Sequence, residues 1–397
     1  MISWGLKTRC LRPIGLDIGH NSIKMIQLQM NGEQISVIAA QKARIDPSIN
    51  GDGQKRRSFV ISAIRRMLEK GNFHKRNVIS CLPNDGLKIT SLRLAEVQSD
   101  EIEETLKKES AQRFGLDPDK DAMKYVVAGN VHQGDEIKNE LILFAADNET
   151  VKSHIEMLEE AGLRLVSIDT IPCALFRSFE RLLRRQEDKE HTVVFVDVGN
   201  QFTTVVFGRG GEISFVKQIP LGGERFNEEI AAKLGVDISE AEMLREALQM
   251  EKSLLAPKPD LEEQAPAENE HKLDASTRQA IVDVVSAVAE ELTREISLCL
   301  RYYTVTFRGK RVRRAFFTGG GAYEYILLDV LKRQLAVEVE VAQPLKGFDM
   351  SSERKNLNFD SDRRGLLCEW TVAVGLSLKG WNGAESLDCE GPSEIQL

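Results

Sequence analysis

Two short stretches of the chain place an aspartate two residues ahead of a glycine at a tight turn. The first is Asp17-Ile18-Gly19-His20-Asn21-Ser22, with Lys24 beyond it, and the second is Asp197-Val198-Gly199-Asn200-Gln201, with Phe202 and Thr203 beyond it. Glycine lets the backbone approach an anion closely, exposed amides and the Asn21 and Ser22 side chains donate hydrogen bonds, and an aspartate can hold hydrated magnesium. Either turn alone reads equally well as an ordinary hairpin. At equivalent points of two similar segments they would close on a phosphate chain from opposite sides, with Asp17 and Asp197 flanking one metal ion. A third element, Thr318-Gly319-Gly320-Gly321-Ala322, lies between an apolar strand and a helix. Consecutive glycines there would let a flat base and ribose lie against the backbone, although a plain loop fits the triplet as well.

Apolar periodicity supplies the elements that must carry these residues. Ile14–Asp17 and Ser22–Leu28 read as strands joined by the first turn, and Gln34–Arg44 follows the Asn31-Gly32 hairpin signal. A helix over 54–70 leads to the strand Asn77–Leu82, which Pro83 ends. Strands over 87–94, 123–131 and 140–146, helices over 100–113 and 150–161 and a strand over 163–168 then form a compact unit of their own. From Thr192 the opening pattern restarts, with strands over 192–198, 203–209 and 214–220 and a helix over 223–234. The repeat in type and order predicts an α/β fold of two similar halves with a nucleotide cleft between them and an inserted α+β subdomain in the first half. The expected division is 11–84 and 169–190 for the first half, 85–168 for the insert, 191–235 and 313–350 for the second half, and 236–312 for its smaller subdomain. Residues 351–382 return to the first half and 383–397 form a polar tail. Within 236–312, residues 251–275 carry Pro257, Pro259 and Pro266 and read as a flexible insertion. An amphipathic helix follows, with Ile281, Val284, Val285, Val288, Leu292 and Ile296 on one face.

At 397 residues, with 42% hydrophobic and 29% charged, the chain can bury more than one core. A net charge of −8 disfavours nucleic acid and anionic lipid as general partners. No run reaches the length of a membrane span, and the first residues carry Lys7, Arg9 and Arg12 without the apolar block of a signal peptide, so a cytosolic location is expected. The 6 cysteines are far apart with no CxxC pair, which argues for reduced thiols and against a zinc site. His132, His154, His191 and His271 show no ligand spacing, and Arg308, Lys310, Arg311, Arg313 and Arg314 read as a solvated hairpin edge.

The two Asp-Gly turns, the glycine triplet and Leu221-Gly222-Gly223-Glu224-Arg225-Phe226 resemble the nucleotide motifs of the actin, heat-shock chaperone and sugar-kinase superfamily. The stretches IGLDIGHNSIKMIQL, MLEEAGLRLVSIDTIPCALFRSF, VVFVDVGNQFTTVVF and IPLGGERFNEEIAAKLGV narrow the likeness to the type IV pilus assembly PilM family, over about Ile14 to Lys379. The FtsA family is similar in architecture, since it too carries an inserted subdomain in its first half. This resemblance implies ATP and magnesium as ligands, with Asp17 and Asp197 facing the metal through water. Gly19, His20, Asn21, Ser22 and Lys24 would meet the terminal phosphates, and Gly199, Asn200, Gln201 and Thr203 would form the second phosphate turn. Gly222 and Gly223 would pass near ribose and phosphates, and Gly319, Gly320 and Gly321 would lie along the adenosine. Glu242 and Arg245 keep a Glu-x-x-basic spacing used against ribose and adenine, although a solvated helix salt bridge explains the spacing equally. The implied partner is the cytoplasmic tail of a PilN-like membrane protein, with pilus motor ATPases and self-association as further contacts, at the inner face of the cytoplasmic membrane. His20 and Gln201 depart from the small residues common at their positions. Ile171 stands where hydrolytic relatives carry a water-positioning Gln or Glu, so slow or absent hydrolysis is expected. An FtsA-like membrane-associated filament and a sugar or small-acid kinase stay open as alternatives. The acidic end of the chain, with Pro392 and no basic amphipathic face, tells against the first, and the lack of a further Asp in a glycine-rich turn tells against the second.

Overall fold

The computed structural model describes residues 9–94, 99–133, 136–180, 191–254, 273–307, 311–351, 357–359 and 365–379. Strands β1 (Arg9–Ile18), β2 (Ser22–Asn31) and β3 (Gln34–Arg44) form an antiparallel meander, and helix α1 (Gly53–Lys70) returns the chain to β4 (Asn77–Cys81), parallel to β1. The β2–β3 hairpin closes over Gly32 at a φ of 64°, a left-handed conformation that glycine adopts without strain. Asp52 caps α1 by accepting from the Lys55 amide, which satisfies one of the donors left open at a helix start.

The second half repeats this order. Strands β9 (Thr192–Val198), β10 (Thr203–Arg209) and β11 (Glu212–Ile219) form the meander, and helix α5 (Gly223–Leu234) follows, ending at Gly235 with a φ of 70°. Helices α6 (Ile238–Leu254) and α7 (Ala275–Thr306) come next, then β12 (Val312–Thr318), helix α8 (Tyr325–Gln334) and β13 (Glu338–Val341). With β8 (Arg164–Asp169) as the last strand of the first sheet, the two sheets have orders β3-β2-β1-β4-β8 and β11-β10-β9-β12-β13. They are the same topology built twice, as the sequence repeat predicts. Each half has its own core: Ile14, Leu16, Ile64 and Val78 anchor the first, and Val194, Val196, Val285, Leu292 and Phe317 the second. The long helix α7 buries Ile281, Val285, Val288, Leu292 and Ile296 against the second sheet, whereas Val284 is only partly buried.

The insert is smaller than the sequence suggests. Strands β5 (Lys88–Leu94), β6 (Ala122–Gln133) and β7 (Glu136–Ala146) form a separate sheet of order β5-β7-β6, and helix α2 (Ser99–Phe114) covers one face through Ile102 and Leu106. Helix α3 (Asn148–Glu160) instead packs into the first core through Val151 and Leu158, and β8 pairs in parallel with β4. The insert therefore closes near residue 146 rather than 168, because the partners of β8 are distant in sequence. Its second face, with Ala128, Ile142 and Phe144, lies in one apolar cluster with Phe176 of helix α4 (Ile171–Glu180) and with Val193, Phe195 and Val206 of the second half. Helix α9 (Thr371–Ser377) returns to the first half, burying Val374 and Leu378 against β2.

Helix α6 runs to Leu254, four residues into the segment expected as a loose insertion, and Asp274 caps α7 by accepting from the Ser276 and Thr277 amides. The rest of that insertion (255–272), the polar tail, Arg308 and Lys310 lie outside the described residues. Arg314 of the expected basic edge sits over the Phe316 ring and 3.8 Å from Glu340.

Candidate functional site: a cleft between the two halves

A cleft of about 780 Å³ opens between the halves, and all three glycine-containing motifs border it. Asp17, Gly19, His20, Asn21, Ser22 and Lys24 come from the first turn, Asp197, Gly199, Asn200 and Gln201 from the second, and Gly319, Gly320 and Gly321 from the end of β12. Gly223, Glu242 and Arg245 complete the expected set along one wall. Two expected residues are placed elsewhere. Thr203 is fully buried and its hydroxyl donates to the Leu221 carbonyl at 2.7 Å, so it faces away from the cleft. Gly222 lies behind the second turn, where a Cβ would stand 2.5 Å from the Asn200 carbonyl oxygen; its small size lets α5 close on the turn.

Both turns are built the same way. The Gly19 amide donates to the Ser22 carbonyl and the Gly199 amide to the Phe202 carbonyl, each at 3.0 Å. The turns touch across the cleft: the Asn21 amide donates to the Asn200 side-chain oxygen at 3.1 Å, and the Asn200 amide lies 2.9 Å from Nδ1 of His20. Farther out, Arg44 at the end of β3 reaches Glu242 at 3.1 Å and Glu246 at 3.6 Å on α6. Glu242 and Arg245 therefore form no solvated pair with each other, for Arg245 donates instead to the Gly223 carbonyl at 2.8 Å.

The charged floor of the cleft suits a cation and a phosphate together. Lys24 is buried 3.1 Å from Asp17. Burial works against its ammonium, but the charge of Asp17, the hydrogen bond to it and the charges of Glu369 and Asp197 together outweigh this and hold its pKa above the ordinary value. Burial, and next the neighbouring Asp17, push the Asp197 carboxyl up to about 7, with Lys24 pulling the other way. Two carboxylates held close in a partly dehydrated cleft, one of them costly to ionise, form a donor set that a divalent ion would relieve. No group of three or more His, Cys, Asp or Glu side chains able to hold a metal occurs among the described residues.

The family model of the type IV pilus assembly protein PilM matches residues 15–257 and 260–381. The chain belongs to the PilM family. The match spans both halves, the insert and the returning helix. The cell division protein FtsA of Bacillus subtilis is 22% identical over 361 residues, covering 83% of this chain and 78% of that protein. Among solved structures, a PilM–PilN type IV pilus biogenesis complex matches with a TM-score of 0.73 at 21% identity, over 94% of this chain and 99% of the other. The ethanolamine utilization protein EutJ of Carboxydothermus hydrogenoformans matches with a TM-score of 0.51 at 14% identity, over 94% of this chain and 90% of that one. The duplicated fold of this PilM-family chain is thus actin-like.

The PilM-family cleft also contains residues that the motifs did not point to: Lys42, Arg44, Asn50, Arg56, Asn84, Asp85, Tyr323, Glu324 and Glu369. Lys42 was within reach of the sequence, because the β2–β3 register sets it opposite Lys24 on one face. Glu369, which accepts from Lys42 at 3.4 Å and from the Tyr323 hydroxyl, carries no local signal.

The raised pKa of Asp197 has a consequence for stability. Its carboxyl titrates higher in the folded state than in the unfolded chain, so its contribution is fully favourable below about pH 4 and is lost as pH rises to about 7. Asp197 opens partly onto the cleft, so screening reduces the effect to about 1–2 kcal/mol. In metal-free melts the stability difference between wild type and Asp197→Asn is expected to move toward the variant by that amount between pH 4 and pH 7. A pH-independent difference would contradict the strained carboxylate pair.

Proposed function

We propose that this chain binds magnesium-ATP in the cleft and serves as a scaffold of a type IV pilus, or related secretion, assembly platform at the inner face of the cytoplasmic membrane. Its partner in this reading is the cytoplasmic tail of a PilN-like membrane protein, with the pilus motor ATPases as further contacts. The observation that carries the nucleotide reading is the convergence of two Asp-Gly turns and one glycine triplet, far apart in sequence, on a single cleft with Lys24 and two aspartates at its floor. The partner reading rests on membership of the PilM family and on the solved relative, which is a complex with PilN. In this reading attachment to the membrane runs through the partner; no helix among the described residues is long and apolar enough to cross one.

When bound, ATP would bring its phosphate charge into the cleft and magnesium would neutralise part of it. The chain's own residues do the rest. Lys24 and the turn amides hold the phosphates, Asp17 and Asp197 hold the hydrated ion, and the Arg44 bridges to α6 close the mouth. Because the insert shares an apolar cluster with the second half, a change in cleft closure loads the insert, and a tail docked beside it would feel the nucleotide state.

The position expected to orient the attacking water carries no group that can do so. Ile171 lines the cleft and offers no polar atom, while Asp169 accepts from Arg177 at 2.8 Å and from the Thr170 amide at 2.8 Å, away from the cleft. Turnover on the order of 10⁻³ s⁻¹ or lower is therefore expected, the range of a nucleotide site lacking a completed water-activating set. Phosphate release in single-turnover conditions measures it, and robust turnover lost in Asp197→Ala would contradict it. The partner reading is tested by titrating the full chain with the cytoplasmic N-terminal peptide of the neighbouring PilN-like protein, with and without magnesium-ATP. Saturable binding that shifts with nucleotide supports the scaffold, and no binding in either condition sinks it.

A further inference from the structure

The two phosphate turns hold their backbones in shape by different means. In the second turn the carbonyls of Gly199 and Asn200 accept from the amides of Gly223 and Glu224, at 2.9 and 2.8 Å, so the start of α5 fixes both peptide planes. The first turn has no such helix start against it, because residues 45–52 separate β3 from α1. Its two equivalent carbonyls are taken instead by one side chain. Arg56 of α1 donates from Nη2 to the Gly19 carbonyl at 2.9 Å and from Nη1 to the His20 carbonyl at 3.0 Å. The same guanidinium also donates to the Asn50 side-chain oxygen, and the Asn50 amide lies 3.2 Å from Nδ1 of His20.

We infer that Arg56 is the positioning residue of the first phosphate turn: its planar fork does for Gly19 and His20 what the α5 amides do for Gly199 and Asn200. This rests on the nucleotide reading of the cleft. In a trans peptide the N–H opposes the carbonyl, and no cis bond occurs among the described residues. Fixing the Gly19 and His20 carbonyls toward α1 therefore turns the amides of His20 and Asn21 the other way, as paired donors for a phosphate oxygen. The guanidinium adds its positive charge at the rim of the same cleft, which it lines. Lysine cannot replace it, since one ammonium on a flexible stem does not hold two carbonyls in a fixed plane.

Full-length wild type, Arg56→Ala and Arg56→Lys are titrated with adenosine, magnesium-ADP and magnesium-ATP, alongside thermal melts. Expected is a loss of about 10- to 100-fold in affinity for both magnesium nucleotides in both variants, with adenosine affinity unchanged. Arg56→Lys keeps charge and stem and decides the matter if Arg56→Ala unfolds. Wild-type nucleotide affinity in Arg56→Lys overturns the inference, because charge alone would then suffice. Equal losses for adenosine and nucleotides, in step with a lowered melting temperature, overturn it in favour of a merely structural arginine. A wild type that binds none of the three ligands overturns the nucleotide reading itself and this inference with it.

Discussion

Lys24→Ala is expected to lose at least about 100-fold in affinity for magnesium-ATP, or about 3 kcal/mol, because it removes a buried ammonium facing the phosphate turns. The same change has a second effect, on stability. Lys24 is the cation held between Asp17, with which it pairs at 3.1 Å, and the raised carboxyl of Asp197. Removing one partner of a buried pair costs about 3–5 kcal/mol when the other stays charged. Here the stranded Asp197 carboxyl can take up a proton, so the cost falls as pH is lowered. With Lys24 gone the one group pulling the Asp197 pKa down is lost, and the variant therefore loses stability as pH rises from about 4 through 7. Asp17→Asn combined with Lys24→Met should recover much of the lost stability at pH 8 while leaving nucleotide binding absent. Melts over pH for the single and double variants separate the two effects. Unchanged nucleotide affinity in Lys24→Ala would remove Lys24 from the site.

Gly319→Ala is expected to cost about 2–4 kcal/mol of stability and to abolish magnesium-dependent binding. Gly319 sits at a φ of 80°, which strains any residue with a Cβ, and the added carbon would collide with Oδ1 of Asp197 and stand 2.7 Å from the Val198 carbonyl oxygen. The collision moves the carboxylate proposed to face the metal, so affinity for magnesium-ATP should fall more than affinity for adenosine. Gly320 is the internal control: it has open space where a Cβ would go, and Gly320→Ala should fold with wild-type stability. A Gly319→Ala protein that melts and binds like wild type would show that the tight approach of triplet and second turn is not needed.

The turns, the meanders and the duplication were legible because their signals are local. An Asp-x-Gly at a strand end, alternating apolar residues and a glycine hairpin each act within a few residues. The relation of the two halves followed from repetition of those local patterns. Features set by partners far along the chain were not legible. The insert was drawn too long because the pairing of β8 with β4 bridges the whole unit between them. The family resemblance points to Glu242 and Arg245 through their Glu-x-x-basic spacing, yet their bonds run to Arg44 and to the Gly223 carbonyl on other elements. Arg56 stands one turn ahead of the apolar stripe of its helix, where nothing local marks a role, and only the fold brings its guanidinium to two carbonyls of the first turn. Thr203 shows the opposite case: the family resemblance implies a place for it at the second turn, whereas strand alternation turns its hydroxyl into the core.

Calorimetric titration of the full-length protein with a non-hydrolysable magnesium-ATP analogue tests the central claim most directly, run in parallel on Lys24→Ala and without magnesium. The expected result is saturable binding at one site, weakened without magnesium and lost in the variant. No saturable heat in the wild type, or binding indifferent to both magnesium and Lys24, would mean that the cleft between the two halves is not a nucleotide site.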